Sequence, residues 1–194
     1  MKSAGAPCAG AGSVLEIRGT SALPARKIHG NISQENGVEN NKVVILRGPP
    51  GAGKSHYARN KYHGAFVVSA DDVFMVLNSE TGREEYRFDP AKLGMAHAEC
   101  FHKFLVAMDK GEPLIVIDNT NIHHWEYANY LKAAKMLSYI VDIVEFGPET
   151  LNEVRACIRR NVHRVPAEII LRMCHDFESC YKEKNVTRLP ILEN

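Results

Sequence analysis

The stretch "RGPPGAGKSHYAR" occupies Arg47–Arg59. Gly48, Gly53, Lys54 and Ser55 stand at the fixed positions of G-x-x-x-x-G-K-[ST], the Walker A pattern. The pattern has a physical logic. Glycines let successive backbone N–H groups converge on phosphate oxygens with no Cβ in the way. A helix beginning near Lys54 turns the positive end of its dipole toward the same point. Lys54 then reaches the β- and γ-phosphates, which makes it a catalytic as well as a binding candidate, and Ser55 offers a hydroxyl to Mg²⁺. The nucleotide-binding candidates are Gly48, Pro49, Pro50, Gly51, Ala52, Gly53, Lys54, Ser55 and His56.

The flanks of this loop set the fold class. Before it, "VVILRG" is a short β-branched run that suits a strand buried on both faces. After it, a helix is expected from about Lys54 to Tyr62. "AFVVSA" (Ala65–Ala70) reads as a second buried strand, "PLIVID" (Pro113–Asp118) as a third and "YIVDIVEF" (Tyr139–Phe146) as a fourth. Between them, Leu93, Ala96, Cys100, Phe104 and Ala107 recur at helical spacing, and Gly111 ends that helix. Tyr127, Leu131 and Ala134 mark the face of another. Two helices follow, one with Leu151, Val154 and Ile158 on a face, the other with Pro166 in its first turn and Ile169, Met173 and Phe177 on a face. Alternation of strands and helices predicts an α/β fold: a parallel sheet of four or five strands with helices on both sides. In such sheets ligands sit beyond the carboxyl ends of the strands. That edge would collect the glycine loop, "SADD" and "DNTN".

The 194 residues, 45% hydrophobic, suffice for one domain with a sizeable core. Net charge is +1 and the charges beyond residue 40 balance, so no general nucleic-acid-coating surface is written into the composition. A nucleic-acid substrate would be gripped locally, near its reacting end. "AGAPCAGAGS" and "GNISQENGVENNK" are low in complexity or polar, and residues 1–40 are expected to form a flexible leader ahead of a domain over 41–182 and a C-terminal tail over 183–194. The five cysteines make no C-x-x-C pair and suit free thiols in a reducing compartment, cytoplasmic or nuclear. The basic, acid-poor start of the leader leaves mitochondrial import open. No apolar run reaches the ~20 residues of a membrane span. Nothing in the sequence fixes an oligomeric state.

Three further stretches carry chemistry. Asp118 ends the third strand, where a carboxylate can hold Mg²⁺ opposite Ser55; its alternative use is as a helix N-cap. Asp71 and Asp72 follow the second strand. Adjacent carboxylates cannot both face one point, so Asp71 is taken as the base that orients an acceptor hydroxyl and accepts its proton, with Asp72 beside it. Again the alternative is capping. "EVRACIRRNVHRVPAEIILR" (Glu153–Arg172) is the densest basic segment. A mobile arginine there could close over ATP, with Arg160 the catalytic candidate and Arg159, His163 and Arg164 in reserve; a solvated basic face is the plainer use. Asn119, Asn121 and His97 are candidates to line the acceptor side. His97 and His102 are five apart, which is not metal-ligand spacing. Tyr86, Phe88 and Trp125 could stack on a base, although core packing is the expected use of each.

Taken in order, "RGPPGAGKS", "VVSADDVF", "AHAEC", "VIDNTNIHHWE" and "RRNVHRVP" resemble the P-loop proteins similar to phage polynucleotide 5′-hydroxyl kinase. Closest in appearance is the branch of AAA-type P-loop domains containing the Nedd-four-binding protein two-like proteins. The kinase-like half of the vertebrate cyclic nucleotide phosphodiesterase is a more distant relative. The resemblance covers about Lys42 to Tyr181. It implies a P-loop kinase fold, ATP and Mg²⁺, and transfer of the γ-phosphate to a nucleic-acid 5′-hydroxyl in active members. It also implies Gly48–Ser55 on the phosphates, Asp71 on the acceptor hydroxyl, Asp118 near metal and acceptor, and Arg160 in the lid. Two places depart from the phage enzyme. Its substrate-holding arginine after the paired aspartates is replaced by Phe74, and its lid is longer where only Val162, His163 and Arg164 intervene here. Three readings therefore stand: a polynucleotide 5′-hydroxyl kinase, a kinase for a small-molecule hydroxyl, and a nucleotide-binding interaction module without catalysis.

Overall fold

A computed structural model describes residues 41–180 and 185–192; the expected leader over residues 1–40 lies outside them. The ordered elements are β1 (Lys42–Arg47), α1 (Lys54–Lys61), β2 (Phe66–Val68), β3 (Met75–Leu77), β4 (Glu84–Tyr86), α2 (Leu93–Asp109), β5 (Leu114–Asp118), α3 (His124–Met136), β6 (Ile140–Glu145), α4 (Leu151–Arg160), α5 (Ala167–His175) and β7 (Val186–Arg188). Five strands form one sheet in the order β2-β5-β1-β6-β7. Every pairing in it is parallel.

Strand β1 sits at the centre because its residues can be buried on both sides. Val43 and Ile45 point into one core with Ala96, Cys100 and Phe104 of α2 and Tyr127, Tyr130 and Ala134 of α3. Val44 and Leu46 point into the other, with Ala58 of α1, Ala156 and Cys157 of α4 and Ile170 of α5. Period-two alternation of side chains thus divides one strand between two helical layers. The α/β architecture, with helices on both faces, is the one the sequence predicts.

Several elements differ from the sequence reading. Strand β2 is an edge strand, not a fully buried one: Phe66 and Val67 are 39% and 46% exposed and only Val68 is covered. Residues 186–188, read as tail, pair with β6 as the fifth parallel strand, and Ile191 is buried beyond them. A small antiparallel hairpin, β3–β4, forms a separate sheet that the sequence did not announce. Helix α4 turns a different face inward. Leu151 is 72% exposed, while Glu153, Ala156 and Cys157 are buried. On α5 the buried residue is Ile170, with Ile169 and Met173 only partly covered, and Phe177 lies past the helix end. Trp125 (73% exposed) and Phe88 are at the surface rather than in the core. No helix among the described residues is long and apolar enough to cross a membrane. Cys100, Cys157, Cys174 and Cys180 are free thiols.

Candidate active site

The carboxyl ends of β1, β2 and β5 are tied together by a few hydrogen bonds. Ser69, at the end of β2, uses its hydroxyl twice: it donates to the Asp118 carbonyl at 2.9 Å and accepts from the Asp71 N–H at 3.2 Å. Asn119 Oδ1 accepts from the Ala70 N–H at 2.9 Å. The Gly48 N–H donates to the Thr120 carbonyl at 2.7 Å. Glycine loop, Asp71 turn and Asp118 strand end are therefore one framework. Ser69, not an aspartate, caps the short 3-10 turn Ala70–Phe74.

The glycine loop has a shape that other residues could not take. Gly48, Gly51 and Gly53 all have positive φ, at 145°, 77° and 101°. A Cβ on Gly48 would lie 2.7 Å from the Phe146 carbonyl, and one on Gly51 only 2.0 Å from the Cys157 carbonyl. Helix α4 is therefore pressed directly onto the loop. Helix α1 opens after Gly53 with no side-chain cap, so its first N–H groups point into the loop without a partner from their own helix. Lys54 is buried, and its ammonium donates to the Gly48 and Pro49 carbonyls at 2.9 and 3.0 Å. Burial lowers its pKa from the usual lysine value; Asp118, then Asp71, then Cys157 oppose that shift through space. Both carboxylates thus act on the same ammonium. Of the other loop residues, Ala52 and Pro49 are buried, Pro50 is half-buried, and Ser55 and His56 are exposed on α1, His56 beside Asn60.

Asp71 is half-buried and held from two directions. Its Oδ1 accepts from the Tyr86 hydroxyl at 2.9 Å, and its Oδ2 stands 3.8 Å from His163 Nε2. Burial, then the charge of Asp71 and the hydrogen bond to it, raises the Tyr86 pKa well above the ordinary phenol range. Asp72 is exposed and 3.8 Å from Lys103. Burial raises its pKa and Lys103 pulls it back. Phe74, at the place of the phage enzyme's substrate arginine, is buried against the rings of Tyr86 and Phe88.

The lid candidates separate. Arg160 Nε and Nη2 are buried and have no hydrogen-bond partner among the described residues, as is Asn161 Oδ1. Burial pushes the neighbouring Cys157 thiol up, and Arg160 and Lys54 both oppose it. Arg159 and Arg164 are exposed. Among the lid candidates, His163 lies against Asp71.

Two of the acceptor-side candidates serve the framework. Asn119 is buried against the Asp71 turn and Cys100. Asn121 is 2% exposed and its amide donates to the Leu46 carbonyl at 2.8 Å. Asn119 thus holds the start of the Asp71 turn and Asn121 the end of β1. His97 is exposed on α2. Helix α3 begins at His124, where Glu178 accepts from the His124 N–H at 2.8 Å; Asp118 does not cap it.

The sequence reading passed over one buried ion pair. Arg47 Nη1 lies 2.6 Å from Glu145 Oε1, and the guanidinium also donates to the carbonyls of Asn121, Ile122 and Glu178. Tyr127 and Phe177 stack on it. The signal was present: a basic and an acidic residue end two mostly apolar strand runs.

The site fits a triphosphate. Arg160 Nε and Nη2 without a partner among the described residues, a buried ammonium bonded to carbonyls and uncapped helix N–H groups all call for an anion with several oxygens. Ser55 and Asp118 fit Mg²⁺, which needs few protein ligands when phosphates share it. No group of three or more His, Cys, Asp and Glu could hold a metal among the described residues.

Fold and loop together define a P-loop kinase-like nucleotide-binding domain. The chain belongs to the AAA domain family, whose model matches residues 43–179. It is 32% identical over 139 residues to human NEDD4-binding protein 2, covering 70% of this chain and 8% of that protein. It is 26% identical over 170 residues to rat YLP motif-containing protein 1, covering 77% and 12%. The chain therefore spans about a tenth of the length of these curated relatives. Among solved structures it is similar to a sugar kinase from a Janibacter species, with TM-score 0.51, 15% identity and coverage of 78% and 86%. It is also similar to the Mycobacterium tuberculosis APS kinase CysC in complex with AMPPNP and APS, with TM-score 0.50, 19% identity and coverage of 78% and 88%. Both likenesses concern the fold.

Proposed function

We propose that the chain is an ATP-dependent phosphotransferase that moves the γ-phosphate to a hydroxyl, and that the acceptor is the 5′-hydroxyl of a polynucleotide. The observation that carries the reading is the hydrogen-bonded framework that sets Asp71 and the Asp118 strand end beside the glycine loop: Ser69 bonds both, and the Gly48 N–H bonds the Thr120 carbonyl just past Asp118. Two carboxylates beside a phosphate-loop lysine are more than nucleotide holding requires. One can assist the metal and the other can serve an acceptor.

In this reading the loop from Gly48 to Ser55 and the start of α1 bind the phosphates. Lys54 moves from its two carbonyls to the β- and γ-phosphates. Ser55 and Asp118 would hold Mg²⁺, which would supply positive charge beside the phosphates. Asp71 receives the acceptor's hydroxyl proton as the acceptor oxygen bonds to the γ-phosphorus. The bond from that phosphorus to the bridging oxygen breaks, and its electron pair leaves with ADP. Arg160, whose buried Nε and Nη2 lack a partner among the described residues, meets the charge on the transferring group. The polynucleotide acceptor is supported by the ordered motifs that resemble the 5′-hydroxyl kinases and by the arginines of α4 and the lid. A balanced net charge suits a grip confined to the reacting end.

The test supplies labelled ATP with 5′-hydroxyl RNA and DNA oligonucleotides, and in parallel a panel of small hydroxyl compounds. Transfer to an oligonucleotide is expected, abolished in Lys54→Ala and reduced by orders of magnitude in Asp71→Asn. Transfer only to small compounds would move the acceptor class. ATP binding with no transfer to any hydroxyl would leave a binding module.

A further inference from the structure

The two oxygens of Asp71 have different neighbours. Oδ1 takes the Tyr86 hydroxyl at 2.9 Å; Oδ2 looks toward His163 across 3.8 Å. The neighbours also touch each other, with ring centroids 4.2 Å apart at 48°. Tyr86 ends β4 of the separate hairpin, and His163 lies in the lid between α4 and α5. Three segments far apart in sequence therefore meet at one carboxylate. The hairpin reaches that point through the buried Phe74, which packs on Tyr86 and Phe88 and accepts the Arg87 N–H at its carbonyl.

A proton acceptor needs one oxygen aimed at the incoming hydroxyl. The terminal torsion of an aspartate is broad and nearly two-fold, so an unheld carboxylate exchanges its oxygens freely. A hydrogen bond to Oδ1 removes that freedom. The gap between Oδ2 and His163 is longer than a hydrogen bond, so the lone pairs of Oδ2 are not taken by the lid.

We propose that Tyr86 is a positioning residue for Asp71, and that His163 buttresses its ring from the lid, so that the carboxylate is aimed only while the lid rests on the hairpin. The proposal rests on the phosphotransferase reading above. The acceptor hydroxyl then gives its proton to Oδ2, while the Tyr86 O–H stays a donor to Oδ1 throughout. The lid would thus set the base as well as cover the phosphates.

Tyr86→Phe tests the first half, since it keeps the ring against Phe74 and His163 and removes only the hydroxyl. Its kcat on a 5′-hydroxyl oligonucleotide is expected to fall roughly tenfold to a hundredfold, the scale of a misplaced reacting group, with ATP affinity unchanged. In an Asp71→Asn background the same substitution should be silent, because its effect runs through that carboxylate. Wild-type kcat in Tyr86→Phe, or an equal loss in both backgrounds, overturns the role. For the second half, His163→Ala should lower kcat while His163→Phe, which retains a ring over Tyr86, keeps most of it. Equal loss in both overturns the buttress, and thermal unfolding of each variant checks that the fold is intact. If the wild-type chain binds ATP yet moves phosphate to no hydroxyl, the phosphotransferase reading falls. That outcome is visible before any variant is made, so the two failures are distinguishable.

Discussion

At the scale of single residues, charge and burial decide what each group can do. Arg160 shows this most plainly. A guanidinium whose Nε and Nη2 are buried without partners carries a cost of about 1–3 kcal/mol for each unmet donor. A folded chain tolerates that where a ligand completes the arrangement. If the ligand is the transferring phosphoryl group, Arg160→Ala should lower kcat by about a thousandfold and weaken ATP affinity far less. Equilibrium binding of a fluorescent ATP analogue, set beside single-turnover transfer, separates the two; comparable losses would return Arg160 to a plain binding or structural role. Asp71 and Lys54 were legible from spacing alone because the phosphate-loop pattern fixes its lysine and the strand-end position fixes the aspartate. Tyr86 was not. Its partner lies fifteen positions away across a hairpin of three-residue strands, and no periodicity brings such residues together. Nor does spacing show that the Asn121 amide donates to the Leu46 carbonyl.

At the scale of elements, the central strands were readable and the borders were not. Strands β1 and β5 are buried on both faces, so their apolar runs speak plainly. Strand β2 lies at an edge, and its hydrophobic residues are the same letters in a half-exposed setting. Helix α4 was read on the wrong face because its inward side includes Glu153, which periodicity counts as outward. That carboxylate closes a capping box with Thr150 and also accepts from the N–H groups of Glu149 and Ile191. Burial works to raise its pKa, but these hydrogen bonds outweigh burial and hold it below the usual 4.5. A depressed pKa in the folded state contributes stability that is full above the unfolded value and is lost as pH falls through the folded one. Acid titration of the melting temperature from pH 6 downward should therefore show a drop below about pH 4.5 that is shallower in Glu153→Gln. Where α4 meets the glycine loop the fit is tighter still. Gly51→Ala would place a methyl 2.0 Å from the Cys157 carbonyl at a φ of 77°. Strain of about 1–3 kcal/mol or more must displace α4 or the loop. ATP affinity, read by isothermal titration, should fall with the melting temperature; unchanged values for both would mean that α4 is not seated on the loop.

At the scale of the whole molecule, the Arg47–Glu145 pair is where the layers are fastened. Arg47 closes β1 and Glu145 closes β6, in register with each other. Around them the guanidinium takes the carbonyls of Asn121, Ile122 and Glu178, and the carboxylate takes the Cys180 N–H and the Arg188 guanidinium. Both partners are essentially inaccessible to solvent. Such a pair is weak evidence of net stabilisation, since its desolvation cost can match its attraction, but removing one partner strands the other. Glu145→Gln should therefore cost about 3–5 kcal/mol of unfolding free energy, measured by urea denaturation. The paired variant Arg47→Met, Glu145→Gln distinguishes attraction from fastening. If the pair mattered only as two charges, the double variant would recover most of the loss. Here the three carbonyls bonded by Arg47 would still lose their donors, at about 1–3 kcal/mol for each one left buried. The double variant should then stay well below wild type, while losing less than the two single losses added together. Full recovery would show that the carbonyl contacts are incidental. Because Gly48 follows Arg47 directly, the same variants should also weaken nucleotide binding. The ion pair that anchors the sheet is one peptide bond from the loop that holds the phosphates.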